Sequence, residues 1–144
     1  MNISLIGKRA LVGGSSQGIG KGIGEQLAAS GASVTLMARS GEKLKDIISL
    51  MPTDNGQQHQ YLEVDFTDFN SYQEIIGNYF KNNSVDILVN NTQGPASGGA
   101  MEKKVEDYQA AFDLLFKTVV YTSELALKGM IDQKYGRIIN IASV

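Results

Sequence analysis

The densest chemical signal in the chain is the run Gly13-Gly14-Ser15-Ser16-Gln17-Gly18-Ile19-Gly20. An apolar run, Ala10-Leu11-Val12, precedes it, and a stretch carrying Ile23, Leu27 and Ala28 follows at helical spacing. Glycine is required where the backbone enters the left-handed region or must approach a ligand closely. Gly14 then permits a tight turn, Gly18 lets the backbone come up to a pyrophosphate, and Gly20 allows close packing of helix on strand. The helix that opens after the loop presents unpaired amides and the positive end of its dipole to phosphate. A glycine loop in this setting reads as a dinucleotide site formed by Gly14, Ser15, Ser16, Gln17, Gly18, Ile19 and Gly20. The alternative is a βα turn that only packs tightly. No Gly-Lys-Ser/Thr follows, which excludes a triphosphatase P-loop. Gly22 and Gly24, each costing ~1 kcal/mol against Ala inside a helix, are read as further close-packing positions.

A second chemical group stands at the end of the next apolar run, Leu36-Met37-Ala38-Arg39-Ser40. A cofactor with a free ribose 2′-hydroxyl is gripped by an acidic residue at this place, about 20 residues after the glycines. Ala38 occupies it here and Arg39 follows, which suits a 2′-phosphate, with Ser15 or Ser16 as neutral donors. The expected cofactor is therefore NADP(H), with NAD(H) as the less favoured alternative. The competing interpretation of Arg39 is a solvated strand-end arginine, and Gln17 leaves the loop without a second basic group.

The elements that must position these groups follow from periodicity. Residues 10–12, 34–37, 61–64, 87–89 and 137–141 read as five strands, three of them nearly continuous apolar runs of the kind covered on both faces. Between them lie helices. Leu44, Ile47, Ile48 and Met51 form one apolar face, started by Ser40 as N-cap and stopped by Pro52. Tyr72, Ile75, Ile76 and Tyr79 form another after a Thr67-Asp68 cap. The longest helix is expected over 105–134, with Tyr108, Phe112, Leu115 and Val119 inward, and Gly136 turning the chain into the fifth strand. This alternation is that of an α/β protein with a doubly wound, Rossmann-like parallel sheet and right-handed crossovers. Ligands of such sheets bind beyond the carboxyl ends of the strands, and every motif falls there.

The spacing Gly-x-x-x-Gly-x-Gly resembles the short-chain dehydrogenase/reductase family, with Gly13 where that family usually carries Thr or Ser. The likeness continues in order along the chain. Asp65, followed by Phe66, stands where the family's Asp hydrogen-bonds the adenine. Asn90-Asn91-Thr92-Gln93-Gly94 is similar to the family's Asn-Asn-Ala-Gly, which implies cofactor roles for Asn91 and Gly94. The segment from Gly136 to Ser143 resembles the strand that delivers the catalytic serine, so Ser143 is expected to hold the substrate carbonyl. A tyrosine with a lysine four residues later completes the family's chemistry, and no Tyr-x-x-x-Lys occurs between Met1 and Val144. Leu115 falls where many relatives carry an Asn that organises a proton-relay water. With Asn-Asn-Thr-Gln-Gly-Pro in place of Asn-Asn-Ala-Gly, the likeness suggests a divergent subgroup near the 3-oxoacyl-carrier-protein-reductase-like members.

The resemblance implies an oxidoreductase that interconverts a carbonyl and an alcohol, and a homodimer or homotetramer packed through the 105–134 helix. It also implies that 1–144 is the dinucleotide-binding part of one longer domain, continuing past Val144 into Tyr-x-x-x-Lys and the substrate pocket. A non-catalytic dinucleotide-binding module is the alternative.

Composition narrows the rest. With 13 basic and 15 acidic residues the chain has no charge footprint for nucleic acid or an anionic membrane. The absence of cysteine excludes disulfides, thiolate metal sites and a cysteine nucleophile. No run approaches the ~20 apolar residues of a membrane span, and the N-terminus inverts a signal peptide, so a cytoplasmic protein is expected. His59, in a polar run, is read as a surface loop residue, and no carboxylate cluster has metal-ligand spacing.

Overall fold

In the computed structural model, which describes residues 3–142, strand and helix alternate from Arg9 to Asn140. The strands are β1 (Arg9–Val12), β2 (Ser33–Ala38), β3 (Gln60–Glu63), β4 (Ile87–Asn90) and β5 (Arg137–Asn140). The helices are α1 (Gly18–Ala29), α2 (Gly41–Ser49), α3 (Phe69–Asn82), α4 (Val105–Phe112) and α5 (Thr118–Asp132). All strand pairs are parallel, in the order β3-β2-β1-β4-β5. The order reverses at β1, so the crevice between the exits of β1 and β4 is the switch point where ligands of this architecture bind.

Each apolar strand serves two cores because alternate side chains point to opposite faces. Ala10, Val12, Val34 and Leu36 meet Ala28, Leu44 and Ile47 on the α1–α2 side. Leu11, Met37 and Leu88 meet Tyr72, Ile76 and Met130 on the α3–α5 side. Two predicted caps form: Ser40 Oγ accepts from the Lys43 amide at 3.4 Å and Asp68 Oδ1 from the Ser71 amide at 3.1 Å. At the opposite end of the sheet, Asp86 accepts from the Arg9 amide at 2.8 Å and from Gln133 Nε2 at 2.9 Å.

The long helix differs from its expected form in two ways. A π-helical segment, Asp113–Lys117, separates α4 from α5. The inward row is Leu114, Thr118, Thr122, Ala126 and Met130, whereas Tyr108, Phe112 and Leu115 are 60%, 51% and 44% exposed. α5 packs against α3, and small side chains let the two helices approach. Their hydroxyls are satisfied locally: Thr118 Oγ1 donates to Leu114 O at 2.6 Å, and Thr122 Oγ1 to Thr118 O at 2.8 Å. With its proton committed there, Thr122 Oγ1 accepts from the Tyr72 hydroxyl at 2.6 Å.

Three smaller expectations are corrected. His59 is half-buried rather than a surface loop residue: Nδ1 accepts from the Val34 amide at 3.1 Å, so Nε2 carries the proton toward Pro52 O at 2.9 Å. The left-handed residue before β5 is Lys134, at φ 54°. Gly136 instead makes room for Met130, since a Cβ there would overlap its side chain. Gly24 is a close-packing position, with a Cβ 2.7 Å from Leu36 Cδ2, but Gly22 faces open space and nothing in the fold explains it.

Burial pushes the Tyr72 hydroxyl up from its usual 10 to about 12. The protonated form is thus favoured in the folded state, and that stabilisation is present below pH 10 and lost between pH 10 and about 12. Tyr72→Phe is expected to cost about 1 kcal/mol at pH 7 and to flatten the alkaline fall in stability, leaving the part due to Tyr79, which burial also raises. Urea unfolding across pH 7–12 measures both effects; an unaltered alkaline slope in the variant would refute the assignment.

Candidate functional site

Parallel strands all exit on one edge, and at that edge β1, β2 and β4 are stitched together by side chains. Ser15 is wholly buried. Its amide donates to Met37 O at 3.1 Å, its Oγ accepts from the Met37 amide at 2.9 Å, and its hydroxyl proton lies between Val12 O (3.0 Å) and Met37 O (3.2 Å). Ser15 therefore faces the protein, correcting its expected place as a phosphate donor; Ser16 is the loop serine on the cavity. From the other side, Asn91 Nδ2 donates to Gly13 O at 3.1 Å and Gly14 O at 3.4 Å.

This stitch dictates the glycines. Gly14 has φ +57° and a Cβ there would stand 2.8 Å from Asn91 Nδ2. A Cβ at Gly13 would strike the Asn91 carbonyl, and one at Gly20 the carbonyl of Gly14. Glycine where the family usually has Thr or Ser thus corresponds here to a very close approach of the β1 and β4 exits. Gly18 is different. It also has φ +57°, but nothing lies within 4 Å of its Cβ position.

Gly18 opens α1, whose N-cap, Gln17, makes no side-chain capping hydrogen bond, and no acidic residue stands in the first turn. The first amides of a helix have no intrahelical acceptor, so this terminus is free to receive an anion. A cavity of about 640 Å³ lies against it. Gly14, Ser16, Gln17, Gly18 and Ile19 line one part. Ala38, Arg39, Ser40 and Lys43 line the part reached from β2 and α2, and Phe66, Asn91, Thr92 and Gln93 complete it. An elongated ligand with phosphate at the loop and an anionic group near Arg39 fits this donor set.

Three expected site residues do not line this cavity. Gly20 packs beneath the loop. Asp65 lies beside the cavity, where its Oδ1 accepts from the Thr67 amide at 2.9 Å and the Thr67 hydroxyl at 2.6 Å. Those bonds, with a smaller pull from Arg39, hold its carboxyl below the usual range. Gly94 borders a separate groove of about 480 Å³ with Pro95, Tyr108 and Leu114. Ser143 lies outside the described residues. The strand that leads to it is tied to β4 by Asn90 Nδ2, which donates to Asn140 Oδ1 at 2.8 Å and Ser123 Oγ at 3.2 Å. Leu115 falls within the π-helical segment.

Lys43 is the charged lining residue that sequence reasoning missed. The Ser40 cap three residues earlier places it in the first turn of the helix entered from Arg39, but only the packing of that helix sets it on the cavity wall. Among the described residues no group of three or more His, Asp or Glu could hold a metal ion, and no helix is long and apolar enough to cross a membrane.

A short chain dehydrogenase family model matches residues 8–144. The chain is 30% identical over 145 residues to 3-oxoacyl-(acyl-carrier-protein) reductase FabG of Chlamydia pneumoniae, covering all of this chain and 58% of that protein. To the protein of the same name from Haemophilus influenzae it is 36% identical over 140 residues, covering 96% and 56%. Among solved structures it resembles L-sorbose reductase from Gluconobacter frateurii, complexed with NADPH and L-sorbose. There the TM-score is 0.88 and the identity 29%, over 100% of this chain and 55% of that one. A 3-oxoacyl (acyl-carrier-protein) reductase from Agrobacterium tumefaciens with NADP bound gives a TM-score of 0.82 and 29% identity, over 98% and 54%. The chain thus spans a little over half the length of the relatives it matches.

The stitch predicts an ordering of variants at one position. Asn91→Ala removes a donor shared by two carbonyls and is expected to cost about 1 kcal/mol. Asn91→Asp keeps the shape but sets a carboxylate against the same carbonyls, and is expected to cost about 2–3 kcal/mol. Urea midpoints of the two variants test this; equal losses would mean that the amide is not the stitching group.

Proposed function

The chain belongs to the short-chain dehydrogenase/reductase family, and on that footing we propose that it binds NADP(H) and serves an oxidoreductase interconverting a carbonyl and an alcohol. The observation that carries the reading is the uncapped start of α1, with Gly18 left-handed and open, facing a cavity that runs on to Arg39. When bound, the nicotinamide group supplies or accepts the hydride. The chain's own residues bind and orient it. Gly14 and Gly18 keep the loop backbone low, and the first amides of α1 take the pyrophosphate. Arg39 and Ser16 take the 2′-phosphate, the guanidinium supplying charge and paired donors. Phe66 and Asn91 line the adenosine side, Asp65 accepts from the adenine amino group, and Gly94 belongs to the loop closing that side. Ser143 orients the substrate carbonyl.

The names of the FabG relatives favour a 3-oxoacyl-type substrate, and the L-sorbose reductase leaves other carbonyl compounds in contention. Val105, Tyr108, Phe112 and Phe116 form an exposed apolar face on the long helix. Such a face suits burial against a second copy in a homodimer or homotetramer, which light scattering at several protein concentrations tests.

The cofactor assignment is tested by titrating the protein with NADPH and with NADH. NADPH is expected to bind more tightly. Arg39→Ala is expected to weaken NADPH by roughly 10- to 100-fold, the worth of a charge-assisted hydrogen bond, and to change NADH by less than about 2-fold. An unchanged preference in the variant would overturn the role given to Arg39.

A further inference from the structure

We infer that Lys43, together with Arg39, fixes the preference for a 2′-phosphorylated adenosine, the phosphate lying between the two side chains over the Ser40-capped start of α2. The inference rests on the dinucleotide reading above and adds a specificity-determining residue to it. Three observations converge. Lys43 and Arg39 are the two charged residues that line the cavity, and no carboxylate lines it. Neither has an ion-pair partner within 4.0 Å among the described residues, whereas Arg9, Lys21 and Lys117 each have one. Lys43 also occupies the first turn of α2, the positive end of the helix.

A cation there is electrostatically misplaced unless an anion sits beside it. Glu63 Oε2 lies against Gly41, Glu42 stands in the same turn and Asp65 feels the charge of Arg39, but all three carboxylates are outside the cavity lining. The position open to an anion on the cavity side is therefore between Arg39 and Lys43. This also answers the neutral Gln17: the second basic group is supplied from α2 rather than from the glycine loop. A dianionic phosphate placed there gains charge-assisted hydrogen bonds from both side chains. A 2′-hydroxyl offers them no charge to pair with.

The test uses the full chain and two probes that differ only in the phosphate, 2′,5′-ADP and 5′-ADP, with dissociation constants from calorimetry. Wild type is expected to prefer 2′,5′-ADP, and the preference is expected to shrink as salt rises. Lys43→Ala is expected to lose about 10-fold in affinity for 2′,5′-ADP, about 1.4 kcal/mol, with 5′-ADP changed by less than about 2-fold. Lys43→Arg is expected to restore the preference. Lys45→Ala, on the same helix but away from the cavity, controls for net charge and is expected to behave as wild type. A Lys43→Ala protein that keeps the preference, or that loses both ligands equally, overturns the role of Lys43 while leaving the NADP(H) reading intact. A wild-type protein without preference overturns both.

Discussion

Where three parallel strands leave the sheet side by side, their last carbonyls and amides need partners, and two side chains provide them. Ser15 Oγ bridges the β1 and β2 exits, and Asn91 Nδ2 reaches from the β4 exit to the carbonyls of Gly13 and Gly14. The rest of the site depends on that constraint. It brings backbones so close that a Cβ at 13, 14 or 20 has nowhere to go. It also fixes the direction in which α1 starts, and hence where its free amides point. The glycine motif therefore divides by purpose. Most of its glycines serve the contact between strand ends, and Gly18 alone combines a left-handed backbone with an open side toward the cavity.

The second architectural decision is made on the far face of the sheet. α5 lies near α3 because its inward row is small, and the threonines in that row satisfy themselves against the preceding turn before meeting Tyr72. Tyr108, Phe112, Leu115 and Phe116 are left outside, whereas Leu114 of the π-helical segment turns inward with the row. Thr118, 1% exposed, leaves no room for a larger side chain, whereas Phe112 is 51% exposed.

Charge at the site follows from the same topology. β2 ends beside β3 in register, Ala38 opposite Glu63, so the carboxylate absent from the end of β2 is present one strand away, turned toward Gly41. The cavity wall keeps Arg39 and Lys43. Counting charges along β2 alone finds the arginine, but the sign of the whole wall depends on which way Glu63 leaves its strand.

Periodicity within single segments determined a good deal: five strands, the helices between them, the caps at Ser40 and Asp68, a glycine loop opening a helix, and Arg39 at the end of β2. Each is a property of neighbouring residues, and local backbone preference and alternation of polarity are enough to read it. Tertiary structure alone decided that Ser15 turns inward to Met37, 22 residues away, that His59 accepts from Val34, 25 residues away, that the small row of α5 is the buried one, and that Lys43 joins Arg39 on one wall. The physical reason is common to all four. The direction of a side chain and the identity of its hydrogen-bond partner are set by the segment packed against it, and that segment is brought there by the sheet order, which no local pattern contains.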